Sequence, residues 1–230
     1  FDPLKIWVEE AHKRGIKVHI WFESFYVGNK PPETNAQYIL AKKPEWANYQ
    51  KKNADSDTIA YSVSEHNGYF IDPANPEVQN FLYQLLCEII TKYKPDGINL
   101  DYIRYPQSLD IMYSNYDMSN WGYTKFARNE FKNMYGIDPI ELKASDPLWF
   151  QWKAYRCNKI TNFVRKVSVL CRYNNISLTT VIFPNRTLAL NTKMQDWKTW
   201  SLNNFVDGFT PLFLTCNDAT AINLMEEVFR

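Results

Sequence analysis

The sequence predicts an α/β protein, a single domain over residues 1–230 built as part of a TIM-type (β/α)8 barrel. Three observations predict it. Helical and strand-like patterns alternate along the chain, as in consecutive βαβ units with a parallel sheet. Helix-to-strand turns are short, whereas the strand-to-helix connections after Glu23 and Tyr105 are long and polar, the asymmetry of a barrel whose strand-to-helix loops build the site. No glycine-rich phosphate loop follows any strand, and the chain has only 7 Gly, which argues against a doubly wound nucleotide-binding sheet.

Asp2-Pro3 starts the first helix as cap and first-turn proline, with Leu4, Trp7, Val8 and Ala11 at helical spacing, and Gly15 stops it. Lys17–Glu23 alternates: Val18, Ile20 and Phe22 form an apolar face, Lys17, His19, Trp21 and Glu23 the other. A long polar connection, residues 24–75, holds a short helix near Thr34–Lys42. Asn75-Pro76-Glu77 caps a helix to Tyr93 with a stripe of Val78, Phe81, Leu82, Leu85, Ile89 and Ile90. The turn Lys94-Pro95-Asp96 leads into a buried strand, Gly97–Ile103, in which Asn99, Asp101 and Ile103 share one face. After a polar stretch to Asn120 comes a helix ending near Gly136, and Asp146-Pro147 caps a long one to Tyr173. The strand Ser177–Phe183 exits through Pro184-Asn185-Arg186, a helix covers Gln195–Leu202, Val206–Leu214 is a fourth strand, and Asp218–Phe229 is a last helix. A closed barrel has eight strands, so about four βα units are present here. Two further units are expected before Phe1 and others after Arg230.

Hydrophobic residues at 45% and charged residues at 22% describe a globular chain, not a disordered one. With 26 basic against 25 acidic residues and no long run of either sign, a nucleic-acid or anionic-membrane footprint is not indicated. A carbohydrate partner suits that balance, and aromatics at 16% supply faces for sugar rings, although most aromatics in any fold are core. No apolar run approaches the roughly 20 residues of a membrane span. Cys87, Cys157, Cys171 and Cys216 form no Cys-x-x-Cys pair, so free thiols are expected and neither metal nor cofactor is indicated.

Asp101 lies near the C-terminal end of its strand, where such a barrel keeps its chemistry. Asp96, five residues earlier, is roughly 16 Å away at about 3.3 Å per residue and cannot share that site. Glu23 ends the preceding strand, so the two carboxylates would lie roughly 5–9 Å apart, a range covering retaining and inverting glycoside hydrolysis alike. The competing reading makes Asp101 a structural carboxylate bonded, for instance, to Arg104. Asn99, Arg104, Tyr105, Trp21, Tyr26, Asn185 and Arg186 are candidate sugar-lining residues. His19, one layer deeper, is either a further lining residue or a satisfied interior histidine. Asp72 before Pro73 reads as a turn residue.

Phe1–Leu4, the run Glu9–Phe22, Pro44–Trp46, Ile71–Val78 and above all Asp96–Pro106 resemble the family-10-like glycosyl hydrolases, a bacterial group with a TIM-barrel domain. The resemblance extends from Phe1 to about Leu214. It implies barrel strands on both sides of this segment, cleavage of glycans including bacterial cell-wall strands, and a secreted or cell-envelope location. Many members have Asn-Pro-Tyr where this chain has Glu23-Ser24-Phe25-Tyr26, so the resemblance assigns no role to Glu23. The strand is also similar to the chitinase pattern, but Ile103 stands at the position of the catalytic Glu, which removes substrate-assisted chemistry. Its likeness to the α-amylase strand-four segment implies that Asp101 is the nucleophile. The amylase proton donor has no counterpart in Val181–Asn185, so the second carboxylate is Glu23 or lies outside the segment. A catalytically silent glycan-binding barrel is the alternative.

Overall fold

Asp2 caps the first helix, α1 (Pro3–His12), by accepting from the Lys5 N–H at 3.2 Å, as a short carboxylate before a proline should. This opening belongs to a computed structural model that describes residues 1–109 and 112–229. Strand β1 (His19–Glu23) follows, then a connection carrying one short helix, α2 (Ile39–Lys42), and isolated 3-10 turns. The helix α3 (Pro76–Tyr93) leads to β2 (Gly97–Asp101), and α4 (Tyr116–Ser119), α5 (Lys125–Tyr135) and α6 (Trp149–Tyr173) lead to β3 (Ser177–Ile182). Two short helices, α7 (Arg186–Lys193) and α8 (Trp197–Leu202), precede β4 (Gly208–Pro211), and α9 (Asp218–Phe229) closes the order.

All neighbouring strands pair in parallel, in the order β1-β2-β3-β4. A sequential order with same-handed crossovers puts every helix on one side of the sheet, which is the arrangement of a TIM-type barrel and not of a doubly wound sheet. One face carries Phe22, Ile98, Leu100, Leu178 and Ile182, all buried against α3 and α6. Burial of each such side chain contributes roughly 1.5–3 kcal/mol. The other face carries His19, Trp21, Glu23, Asn99 and Asp101 and is open. The chain is thus a partial barrel of about four βα units. A second core, with Tyr123, Phe131, Trp149, Trp152 and Tyr155, joins α5 to the start of α6.

The strands are shorter than their patterns predict. The strand expected over Gly97–Ile103 stops at Asp101 because Tyr102 takes φ +45°, a left-handed conformation that no strand contains. Alternation ends there, so Ile103 drops into the core, fully buried, rather than sharing a face with Asp101. On α3 the buried row is Val78, Leu82, Leu86 and Ile90, while Phe81 and Leu85 stay exposed. The helix α7, where only a strand exit was expected, begins at Asn185, whose side chain caps it by accepting from the Leu188 N–H at 2.8 Å.

Candidate active site

Glu23 and Asp101 are register partners at the C-terminal ends of β1 and β2, where neighbouring strands lie about 4.8 Å apart. Two N–H donors orient Asp101: the Tyr102 backbone N–H donates to Oδ1 at 2.6 Å and the Trp21 Nε1–H to Oδ2 at 3.0 Å. The indole is 63% exposed on the open face. Glu23 is exposed there too, yet loss of surrounding water raises its pKa above the ordinary carboxylate value, with the Asp101 charge as the second cause. Asn99, one layer below, donates from Nδ2 to Thr210 Oγ1 at 2.8 Å, reaching from β2 across β3 to β4. His19 lies deeper still and is exposed on the open face instead of being a satisfied interior group. Its ring rests against Gly97, where a Cβ would sit 2.4 Å from Nδ1.

A second shelf supports this pair from the loop side. Tyr26 stacks on Tyr102 with ring centroids 4.5 Å apart and touches Phe70 edge-on at 5.4 Å. Beneath Tyr102, at 4.7 Å from its ring, lies the Arg104 guanidinium. Arg104 is buried and does not reach Asp101. Its Nη1 and Nη2 donate to the two oxygens of Glu65 at 2.6 and 3.0 Å, a bidentate pair. The Gln107 backbone N–H and the Lys193 ammonium also donate to Glu65 Oε1, at 3.1 and 3.3 Å. Burial raises the Glu65 pKa, but the Arg104 hydrogen bonds and charge, with Lys193, outweigh it and the net direction is down. Lys193 moves the other way: burial, then the Arg104 charge, push it down to about 7.

Several candidate residues stand elsewhere than expected. Arg104 is an internal ion-pair partner, not a sugar-lining group. Tyr105 is fully buried in the core because the chain has already turned inward at Ile103. Asn185 is occupied as the α7 cap and donates from Nδ2 to Glu227 at 3.3 Å, and Arg186 is an exposed first-turn residue of that helix. Asp72 does form the expected turn, accepting from the Ala74 N–H at 2.9 Å, but it is also buried and accepts from Thr124 Oγ1 at 2.6 Å. Asp96 sits at the opposite end of the sheet, accepting from Val18 N–H at 2.7 Å and paired with His12 at 2.9 Å. Glu65 and Lys193 carried no sequence signal. Glu65 lies in an aperiodic loop followed by two left-handed residues, His66 and Asn67, and its partners are 39 and 128 residues away. Among the described residues, no cluster of His, Cys, Asp and Glu could hold a metal ion.

Fold and site together define a barrel-type α/β segment with a carboxylate pair at the C-terminal edge of its strands. The chain belongs to the glycosyl hydrolase-like 10 family, whose model matches residues 1–220. It is similar to the glycosyl hydrolase DigH of Escherichia coli K12, 33% identical over 111 residues, 47% of this chain and 24% of that protein. It is also similar to the glycosyl hydrolase YngK of Bacillus subtilis 168, 25% identical over 112 residues, 47% of this chain and 19% of that protein. The matches thus span a quarter or less of those relatives. A cycloisomaltooligosaccharide glucanotransferase from Paenibacillus sp. shares the fold, with a TM-score of 0.53 and 11% identity over 98% of this chain and 26% of that one.

Proposed function

We propose that the chain is the carboxylate-bearing part of a glycoside hydrolase acting on a polysaccharide or cell-wall glycan. The observation that carries this reading is the register pairing of Glu23 with Asp101 beside the exposed indole of Trp21. Family membership supports it independently. Glu23, with its raised pKa, is suited to hold a proton and give it to the leaving glycosidic oxygen. Asp101, oriented by two N–H donors, is suited to attack the anomeric carbon as the C–O bond breaks. Glu23 then takes a proton from the water that releases the sugar. Register pairing on adjacent strands is compatible with the ~5 Å carboxyl separation of retaining enzymes, and Asp101 acting as nucleophile predicts retention. Trp21 offers a stacking face to a sugar ring.

The test is turnover by the full chain on a panel of bacterial and plant glycans. Asp101→Asn and Glu23→Gln should each lower kcat by about 10²–10⁴-fold, with binding kept, and NMR of the first-formed product should show the starting anomer. Glycan binding without turnover, unchanged in Asp101→Asn, would make the protein a glycan-binding barrel and overturn the hydrolase reading.

A further inference from the structure

Seven residues other than glycine take a positive φ among the described residues. Six of them follow a helical turn: Lys94 and Met194 end α3 and α7, Asn175 and Asn204 come just after α6 and α8, and His66 and Asn67 close the 3-10 turn Val63–Glu65. A left-handed residue in that place terminates a helix. Tyr102, at φ +45°, follows a strand instead. Bulky side chains disfavour this conformation, and it persists only where the surroundings hold it. Glycine would adopt it without a steric cost, so the presence of a tyrosine points to a use for the ring.

Three neighbours seat that ring. Tyr26, from the connection after β1, stacks on it with 4.5 Å between centroids and 22° between planes. Phe70 meets it edge-on at 5.9 Å, and the Arg104 guanidinium lies over it at 4.7 Å. Each neighbour is fixed in turn. Arg104 is bound to Glu65 through both terminal nitrogens and lies 5.1 Å from the Phe183 ring centroid. Phe70 is buried, and the backbones of Tyr26 and Phe70 form an antiparallel bridge. Returning Tyr102 to extended backbone would pull its ring out of this cluster.

The backbone here does what an extended strand would not. β2 pairs with β3 as far as Leu100 and Thr180, and beyond that point the Tyr102 N–H turns to Oδ1 of the preceding Asp101, at 2.6 Å. On the β1 side the Asp101 carbonyl accepts from the Ser24 N–H at 2.8 Å and the Tyr102 carbonyl from the Phe25 N–H at 3.3 Å. The peptide between Asp101 and Tyr102 is thus engaged at both ends. The other donor to Asp101, the Trp21 indole, belongs to an exposed side chain, so the Tyr102 N–H, set in a packed turn, is the firmer anchor.

We infer that Tyr102 is a positioning residue for Asp101: its ring, seated on Tyr26, Phe70 and Arg104, holds a left-handed turn whose N–H keeps the carboxylate in one rotamer on the open face. The role rests on the reading of Asp101 as nucleophile given above, although the geometry is measurable without turnover. A reacting group held in one orientation meets its target more often than one that samples several.

The experiment is NMR of the full chain carrying isotope-labelled aspartate, with the Asp101 χ1 rotamer read from the three-bond couplings of Cγ to its own amide nitrogen and carbonyl carbon. Asp101→Asn assigns the signal. The parent should show one rotamer. Tyr102→Gly, which permits the same φ without a ring, and Tyr26→Ala, which removes the stacking partner, should each show averaging over several rotamers, and Tyr102→Phe should restore the single one. A left-handed residue that served only the path of the chain would let Tyr102→Gly keep the parent rotamer. A single parent-like rotamer in either folded variant, or averaging in the parent or in Tyr102→Phe, therefore overturns the positioning role. Circular dichroism checks folding; if Tyr102→Gly is not folded, Tyr26→Ala decides. On a glycan that the parent cleaves, Tyr102→Gly should lower kcat by about 10–10²-fold with KM changed much less, and Tyr102→Phe should recover most of the loss. A chain that cleaves nothing yet shows the expected rotamers keeps the Tyr102 clamp and sinks the hydrolase. An active chain whose Tyr102→Gly variant keeps both rotamer and kcat does the reverse.

Discussion

Glu65 is where the charges of three segments meet, and its removal tests how much they depend on it. Glu65→Gln would leave Arg104 and Lys193 buried without a counter-charge, which costs about 3–5 kcal/mol. At roughly 2–4 °C per kcal/mol for a chain of this size, the Tm should fall by about 6–20 °C in a calorimetric scan. The sign of the pH effect follows from the lowered pKa of Glu65. Its stabilisation is fully present above the unfolded value near 4.3 and is lost as pH falls through the lower folded value, so the variant should show a flatter acid limb than the parent. Because Arg104 underlies the Tyr102 ring, and the Tyr102 N–H holds Asp101, the same change should also lower kcat more than it alters glycan affinity.

Helix entry shows both what the sequence reveals and what it hides. Asp72 ties two helix N-termini together, one oxygen closing the turn before α3 and the other accepting from Thr124, whose own oxygen caps α5 by accepting from the Ala127 N–H at 3.1 Å. Burial raises its pKa to about 6 despite the Thr124 and Ala74 hydrogen bonds. Between about 4 and 6 the folded chain therefore binds the extra proton, and ionisation removes stability as pH rises through that window, by roughly 3 kcal/mol at most. Urea unfolding should show Asp72→Asn gaining on the parent from pH 4 to pH 7. From sequence alone, the Asp72-Pro73 pair revealed the turn and nothing of the burial, because Thr124 is 52 residues distant. The strands and long helices were legible because their apolar periods are strong. The α7 helix was not, since its apolar residues Leu188, Ala189 and Leu190 stand in one consecutive run without an i, i+3, i+4 stripe and Asn185 reads equally as a loop residue or a cap. Tyr102 was hidden for a different reason: two-residue alternation presumes extended backbone, and one left-handed residue cancels it, sending Tyr105 inward and Arg104 toward Glu65.

At the scale of the whole molecule, the described sheet pairs β1 and β4 on one side only, whereas β2 and β3 are bonded on both, and no residue of α9 is buried. Hydrogen exchange should accordingly be slowest in β2, β3 and the middle of α6, and fastest in α9; uniform protection across the four strands would contradict this order. The open face is also shaped by something missing. At Gly97 a single methyl would lie 2.4 Å from His19 and 2.5 Å from Ser177 Oγ, closer than atoms tolerate, so alanine there must displace the imidazole and the Ser177 hydroxyl. The sheet's depth below its acids is therefore set by a hydrogen atom, and glycine at this one position determines how far a bound molecule can sink before it meets the protein.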